Sequence, residues 1–358
     1  MSRSILYVAI TGHGFGHAVR AASVVAWMQK LNPEIFPILV TTAPRWLLES
    51  YVTGDFIYRP LAFDVGVIQS DSIQMDKAAT LAKMQQIRSR QAIIIKNEVE
   101  FIQQNRVGLI LADIPPLAAS IAKAAGIPCW MLGNFGWDFI YRPWGEEFES
   151  IADWIGECYS KCDRLFRLPL HEPMAAFPNI TDVGLTGGIP HDTPDRLRQK
   201  FGLQQPQKRT ILLTFGGLGL QEIPYQNLAL FPDWQFISFD RRAPELPNLI
   251  KIAEDRYRPV DFLPVCGRVV SKPGYSTFAE ALRQNIPLVS LTREDFAEAS
   301  ILLEGIQKHS HHQIITPEEF YGDNWDFLRR ETISPKTDGI LDKNGSKTIA
   351  KEIVAYFN

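Results

Sequence analysis

Nothing in this chain reads as a disulfide scaffold, a membrane span or a nucleic-acid stripe. Its four cysteines, Cys129, Cys158, Cys162 and Cys266, are too few to staple a fold of 358 residues. They suit a reducing compartment, so a cytoplasmic location is expected. No apolar run approaches the roughly 20 residues of a spanning helix, and no stable membrane span is expected. The first apolar stretch, Ile5 to Ile10, stops at Thr11-Gly12-His13 with no small-residue cleavage site behind it, unlike a secretory leader. The formal net charge is only -3, and the lysines and arginines gather in no dense stripe, which argues against a dedicated nucleic-acid binder. A Walker-type phosphate loop is missing too. Gly345-Ser346-Lys347-Thr348 lacks the upstream glycine spacing, and no strand leads into it. Cys158-x-x-x-Cys162 would share a helix face, but no second pair has zinc spacing. His309, His311 and His312 read as a solvated surface turn, so no metal is expected.

What is present is a repeated strand–helix alternation. The chain is longer than one core comfortably supports, so two domains are expected. Ile5 to Ile10 is a continuous apolar run of the kind a buried parallel strand needs. Helical spacing follows from Gly16 to Lys30. Further strand signals stand at Phe36 to Val40, Phe56-Ile57-Tyr58, Gly108 to Ala112 and Cys129 to Leu132. Between them lie a long polar helix from Asp76 to Gln104 and a helix from Ala118 to Ala125 closed by Gly126. A proline-rich stretch then reads as a crossing between domains. The alternation restarts with strands at Thr210 to Phe215, Gln235 to Phe239, Gly267 to Val270 and Leu288 to Leu291, and a last helix from about Ser346 to Phe357. The expected class is α/β, with two Rossmann-like doubly wound parallel-sheet domains facing a central cleft. Their expected bounds are 1–165 and 191–345, with 166–190 as linker and the helix at 346–358 packing back on the first domain.

Three glycine loops follow strands in this pattern. The first is Gly12-His13-Gly14-Phe15-Gly16-His17. A dinucleotide site also places glycines here, but it needs an acid at the end of the second strand, which ends Val40-Thr41-Thr42. His13 lies at the carboxyl end of a strand, where α/β folds hold ligands, and is the first candidate for a general base near neutral pH. His17, on the first helical turn, is the second; the positive helix end should favour its neutral form. The plainer reading leaves one of the two bonded to loop backbone.

The second loop, Gly216-Gly217-Leu218-Gly219, allows close backbone approach to a ligand or is simply a tight turn. The third is Ser271-Lys272-Pro273-Gly274-Tyr275-Ser276-Thr277, running into a helix from Phe278. A strand, a glycine turn and a helix start leave backbone N–H groups where an anion can sit. Ser276 and Thr277 add hydroxyl donors, and Glu280, one turn into the helix, can accept from sugar hydroxyls. The same Thr277-x-x-Glu280 also reads as a capping box that needs no ligand. Trp137, Phe139, Tyr141 and Trp144 are either packing aromatics or a wall for a sugar or lipid acceptor.

These residues carry a resemblance to glycosyltransferases of the two-Rossmann-domain type, the fold called GT-B. The layout is similar to the UDP-N-acetylglucosamine transferase of peptidoglycan synthesis. The Gly-His loop after the first strand, Thr186-Gly187-Gly188-Ile189-Pro190 before the second domain, Gly216-Gly217-Leu218-Gly219, and Gly274, Thr277 and Glu280 of a G-x-x-T-x-x-E pattern match it. The sequence departs from that family in Arg293-Glu294-Asp295-Phe296-Ala297-Glu298, which has acids and no Gln, and in Lys272. A more extensive resemblance is to the glycosyltransferase-like amino-terminal half of plant L-arabinokinases. It is carried by Thr11-Gly12-His13-Gly14-Phe15-Gly16-His17-Ala18, by Asn134-Phe135-x-Trp137-Asp138-Phe139-Ile140-Tyr141, and by Lys272-x-Gly274-Tyr275-x-Thr277-x-x-Glu280-Ala281, with Arg293-x-Asp295 and Glu298. The Gly-Ser-rich ATP loop of the kinase half has no counterpart here, so the resemblance implies no kinase activity.

What the resemblance implies is a transferase that moves a sugar from a nucleotide-diphospho-sugar, with UDP as the expected nucleotide, to a hydroxyl acceptor. That acceptor is a small molecule, a glycan or a lipid-linked compound. The diphosphate is expected over Gly216, Gly217 and Gly219 and over Lys272, Gly274, Tyr275, Ser276 and Thr277. Glu280 is expected on the ribose and Asp295 or Glu298 on the sugar. Gly12, Gly14, Asp113, Asn134, Trp137 and Asp138 are expected on the acceptor side. Helix N-termini would replace a metal on the leaving diphosphate, so no cofactor is expected beyond the nucleotide-sugar co-substrate. A non-catalytic sugar-nucleotide sensor and a UDP-sugar epimerase on the same fold remain as alternatives.

Overall fold

The computed structural model describes residues 3–69, 75–217, 219–220, 222–337 and 339–358. It divides into two units. One comprises residues 3–69, 75–187 and Asp342–Asn358; the other is Gly188–Leu341.

The first unit is built on seven parallel strands: β1 (Ser4–Ile10), β2 (Ile35–Val40), β3 (Ile57–Arg59), β4 (Val107–Asp113), β5 (Cys129–Gly133), β6 (Arg164–Arg167) and β7 (Ile180–Asp182). Their order across the sheet is β3-β2-β1-β4-β5-β6-β7. The apolar runs predicted as strands fill its centre, with Val8, Ala9, Leu109, Leu111 and Leu132 sealed from solvent. Crossings are made by α1 (Gly16–Leu31), α2 (Arg45–Tyr51), α3 (Lys77–Ser89), α4 (Gln91–Gln104), α5 (Leu117–Ala125), α6 (Trp137–Tyr141) and α7 (Glu146–Tyr159). Gly126, at φ +72, ends α5 in the left-handed conformation that an α-helix terminus favours.

The second unit repeats the plan with six parallel strands: β8 (Thr210–Leu213), β9 (Gln235–Ser238), β10 (Leu249–Lys251), β11 (Arg268–Ser271), β12 (Leu288–Leu291) and β13 (His312–Ile315). The order is β10-β9-β8-β11-β12-β13. Ile211, Phe236, Val270, Val289 and Ile315 form its core with Trp325 and Phe320. Its helices are α8 (Pro194–Phe201), α9 (Pro259–Phe262), α10 (Tyr275–Arg283), α11 (Glu298–His309) and α12 (Pro317–Tyr321). The last helix, α13 (Gly345–Phe357), belongs to the first unit, where Ser346 Oγ meets Ser23 Oγ of α1 at 2.8 Å.

Four sequence expectations change. Much of 166–190 is not a linker. β6 and β7 pair within it, and Arg167 grips Asp182 through Nε at 2.7 Å and Nη2 at 3.0 Å. Among the described residues the chain passes to the second unit at Gly187–Gly188. The long helix predicted over Asp76 to Gln104 breaks at Arg90, whose ψ of 3° leaves helical geometry; Met84 and Ile87 face inward from α3, and Ile102 from α4. Cys162 lies beyond the end of α7, so it shares no helix face with Cys158. His312 is no surface residue but lies buried in β13. Among the described residues no group of three or more His, Cys, Asp or Glu could hold a metal ion. No described helix is long and apolar enough to cross a membrane.

Candidate functional site

In each sheet the strand order reverses next to the first strand of the unit, between β1 and β4 and between β8 and β11. Crevices at such switch points, beyond the carboxyl ends of the strands, are where open α/β sheets hold ligands. The chemistry-bearing residues gather there.

In the first unit, Gly14 at φ +62 turns the chain from β1 into α1, with no side-chain cap on the helix start. This sets His17 on the first turn, facing the end of β4. His17 Nδ1 lies 2.6 Å from Asp113 Oδ1. One turn further along α1, Arg20 donates Nε to Asp113 Oδ2 at 2.6 Å and Nη2 to Asp113 Oδ1 at 2.7 Å. Its Nη1 reaches Asn134 Oδ1 at 2.7 Å, at the end of β5. Asp113 is fully enclosed, Arg20 is 2% exposed and His17 5%. Burial alone would push the Asp113 carboxyl up. The charges of Arg20 and His17 and their hydrogen bonds outweigh it and hold the carboxyl below its usual range. With Nδ1 engaged by Asp113, Nε2 is the His17 nitrogen left to take a proton.

His13 sits differently. Its Nδ1 lies 3.2 Å from both the backbone N–H and the carbonyl of Val67. Its ring packs edge-on against Trp137, with centroids 5.4 Å apart. Gly66, at φ +58, leaves no room for a side chain, since a Cβ there would overlap His13. The Tyr141 hydroxyl donates to the Gly66 carbonyl and pins this loop. The same loop carries buried Asp64, whose Oδ2 accepts the Thr11 hydroxyl at 2.5 Å. Burial pushes the Asp64 carboxyl up to about 7, against that bond. Sequence reasoning missed Arg20 and Asp64. Arg20 reads as an ordinary polar position on a helix, and its partner lies 93 residues away.

The residues expected on the acceptor side therefore separate. Gly12 and Gly14 lie in the loop after β1, Gly12 exposed. Asp113, Asn134 and Trp137 are enclosed, so they support the histidines and present no open surface. Trp137 and Tyr141 are core aromatics, with no exposed face for an acceptor wall. Asp138, half-buried on α6, has its carboxyl pushed up by burial.

In the second unit, Thr214 N–H donates to Val270 O, carrying the β8–β11 pairing to the start of the glycine loop. Gly216 (φ +79) and Gly219 (φ +64) close a turn through Gly219 N–H to Gly216 O at 3.1 Å. Gly216 and Gly217 are exposed; Leu218 lies outside the described residues. A Cβ placed on Gly216 would lie 3.5 Å from Lys272 Cε, so the lysine from the end of β11 lies against this turn. On its other side, a Cβ on Gly219 would be 3.7 Å from Arg242 Nη2. Gly274 caps the start of α10 without a side-chain hydrogen bond, three residues before Thr277. Gly274 and Thr277 are half-buried, Tyr275 and Ser276 buried. The capping box read from Thr277-x-x-Glu280 does not form, because both residues lie inside the helix. Glu280 sits on its second turn, where Oε1 accepts the Gly188 N–H at 2.8 Å, while Arg283 Nη1 donates to Gly188 O at 2.7 Å. Asp295 is exposed at φ +60, and Glu298 is buried at the first position of α11.

No family model matches the sequence. It is similar to L-arabinokinase of Arabidopsis thaliana, 31% identical over 347 residues, which is 93% of this chain. The chain spans about a third of that relative's length, 31%. In fold it is similar to UGT2 of Phytolacca americana, solved with UDP-2fluoro-glucose and pterostilbene: TM-score 0.62 and 12% identity, covering 99% of this chain and 94% of that one. It is also similar to a UDP-glucose: anthocyanidin 3-O-glucosyltransferase in complex with UDP: TM-score 0.59 and 11% identity, covering 99% and 93%. At these identities the structural likeness speaks for the fold alone.

Proposed function

We propose a function for a chain that has the GT-B fold and resembles L-arabinokinase over most of its length: transfer of a sugar from a nucleotide-diphospho-sugar to a hydroxyl acceptor. The observation that carries it is the buried His17–Asp113 pair at 2.6 Å, set at the switch point of the first sheet. Asp113 fixes the ring and favours the tautomer with its proton on Nδ1, so Nε2 faces an acceptor hydroxyl as a base. The hydroxyl proton passes to Nε2 as the acceptor oxygen bonds to the anomeric carbon. The bond from that carbon to the diphosphate oxygen breaks, and the nucleoside diphosphate leaves with the electron pair. In this reading His17 is the base and His13, tied to Val67, shapes the loop beside it; the order expected from sequence is reversed.

The second unit holds the donor, with UDP the nucleotide the neighbours favour. Gly216 and Gly217 offer exposed backbone, Gly219 the turn that presents it, Lys272 a charge, and the uncapped start of α10 the positive end of a helix. These groups would stabilise the leaving diphosphate without a metal. Glu280 reaches the donor ribose only by sharing or leaving its bond to Gly188. Asp295 and Glu298 are the sugar-side candidates.

A second reading is nucleotide-sugar binding without transfer. Arg20 favours it, since it engages both Asp113 oxygens and leaves the carboxylate less charge to support an imidazolium. An NMR time course with UDP-sugars, with and without an acceptor panel, separates the readings. Transfer predicts acceptor-dependent UDP release that His17→Ala lowers by about a hundredfold or more, with His13→Ala affected less. An epimerase would change the sugar with donor alone. Full activity in His17→Ala would remove the base assignment.

A further inference from the structure

We propose that Arg242 is a further donor-binding residue, which with Lys272 grips the two phosphates of the nucleotide-diphospho-sugar from either side of the Gly216–Gly219 turn. The inference rests on the donor reading above and adds to it a residue that no motif of the sequence singles out.

Arg242 follows the end of β9, the neighbour of β8 on the side away from β11. Asp240 folds it back toward the glycine turn, since its Oδ1 accepts the Arg242 backbone N–H at 2.9 Å and lies 3.4 Å from Nε. The Tyr225 hydroxyl holds the other oxygen of Asp240 at 3.3 Å. Arg242 Nη2 then donates to the Leu220 carbonyl at 2.9 Å, which brings the guanidinium alongside Gly219. The side chain is nonetheless 67% exposed. An arginine so aimed, yet left in water, has N–H groups to spare for a ligand.

The two cations mark the two ends of one tight turn, Lys272 at Gly216 and Arg242 at Gly219. Between them the chain has no side chain at Gly216 or Gly217, so a phosphate can approach the backbone. A single phosphate needs one such cation. Two, spaced by a turn, suit the two charged groups of a diphosphate. The guanidinium also adds paired N–H donors, which a phosphate oxygen pair accepts better than it accepts a point charge. The Asp240 carboxylate lies against the arginine's Nε and the Leu220 carbonyl takes Nη2, so Nη1 is the nitrogen we assign to the phosphate. An exposed Asp–Arg pair alone adds little stability, and with the bond to the Leu220 carbonyl it serves to aim the guanidinium.

The test is calorimetric titration of the full chain with uridine, UMP, UDP and inorganic diphosphate, at fixed ionic strength, for wild type, Arg242→Ala, Arg242→Lys and Lys272→Ala. Thermal unfolding of each variant checks that the fold is kept. Arg242→Ala is expected to weaken UDP and diphosphate by roughly ten- to hundredfold, to leave uridine nearly unchanged, and to flatten the salt dependence. Arg242→Lys should recover part of the loss. Unchanged UDP and diphosphate affinity in folded Arg242→Ala overturns the proposal, and so does an equal loss for uridine. Wild-type protein that binds diphosphate but not UDP sinks the nucleotide reading and leaves the cation pair standing. Binding of neither sinks both.

Discussion

The two units share a strand plan but use charge in opposite ways. At the end of β1 and β4 the first unit encloses Asp113, Arg20 and His17, each satisfied by the others. At the ends of β8, β9 and β11 the second unit offers bare glycine backbone, an exposed arginine and a half-buried lysine. Burying a charge costs several kcal/mol unless partners offset it, so the first arrangement holds a ring in one pose at the expense of tolerance. Cations near the surface contribute little to folding and can still meet an anion from solution. The first region should therefore answer substitution with lost stability, the second with lost affinity.

The contrast is most exposed at Asp113. Asp113→Ala strands the Arg20 guanidinium in the interior and should lower unfolding free energy by about 3–5 kcal/mol, read by urea titration. A change near zero would mean that the network is not closed. Asp64 supplies the next test. Its carboxyl stands at about 7 in the folded chain and at its ordinary value when unfolded, so the folded state keeps the proton longer. That stabilisation is complete below about pH 4 and is lost as pH climbs to about 7, at up to about 1.4 kcal/mol per pH unit. Asp64→Asn has no such proton to lose. Its stability relative to the parent should rise through this window and level off above it, and a pH-independent difference would refute the shift.

Gly66→Ala comes third. It forces a side chain into a left-handed position against His13 and should cost about 1–3 kcal/mol. The His13 ring resonances in NMR should move with it. The smallest stability change belongs to the second unit. Lys272→Ala should alter unfolding by less than about 0.5 kcal/mol yet weaken UDP by about tenfold. A large loss of stability there would erase the distinction between the units.

Much of this was legible from sequence, for identifiable reasons. Parallel strands buried on both faces must be continuous apolar runs, which is why β1, β4, β5 and β12 appear in the sequence almost to the residue. Glycines that follow them mark the loops. β6 and β7 escaped because they are short and begin or end on charges, as in Arg164–Arg167 and Ile180–Asp182. The break at Arg90 has no glycine or proline to announce it. In the site, residue type and loop position pointed to the histidines but ranked His13 ahead of His17. What separates His17 from His13 is a carboxylate at the end of β4, distant in sequence and adjacent only through strand order. Arg20 and Arg242 were hidden for the same reason, since each gains its meaning from a partner on another strand end.

The return of α13 to the first unit fixes an order of events during synthesis. Gly188–Leu341 is one contiguous stretch and can close as soon as it leaves the ribosomal tunnel. The unit made earlier cannot finish, because the Ser23 side of α1 waits uncovered until Ser346 and the rest of α13 have been made. Gly188–Leu341 is thus made in full before the first unit can close over α1, and the waiting helix is the surface a chaperone would meet.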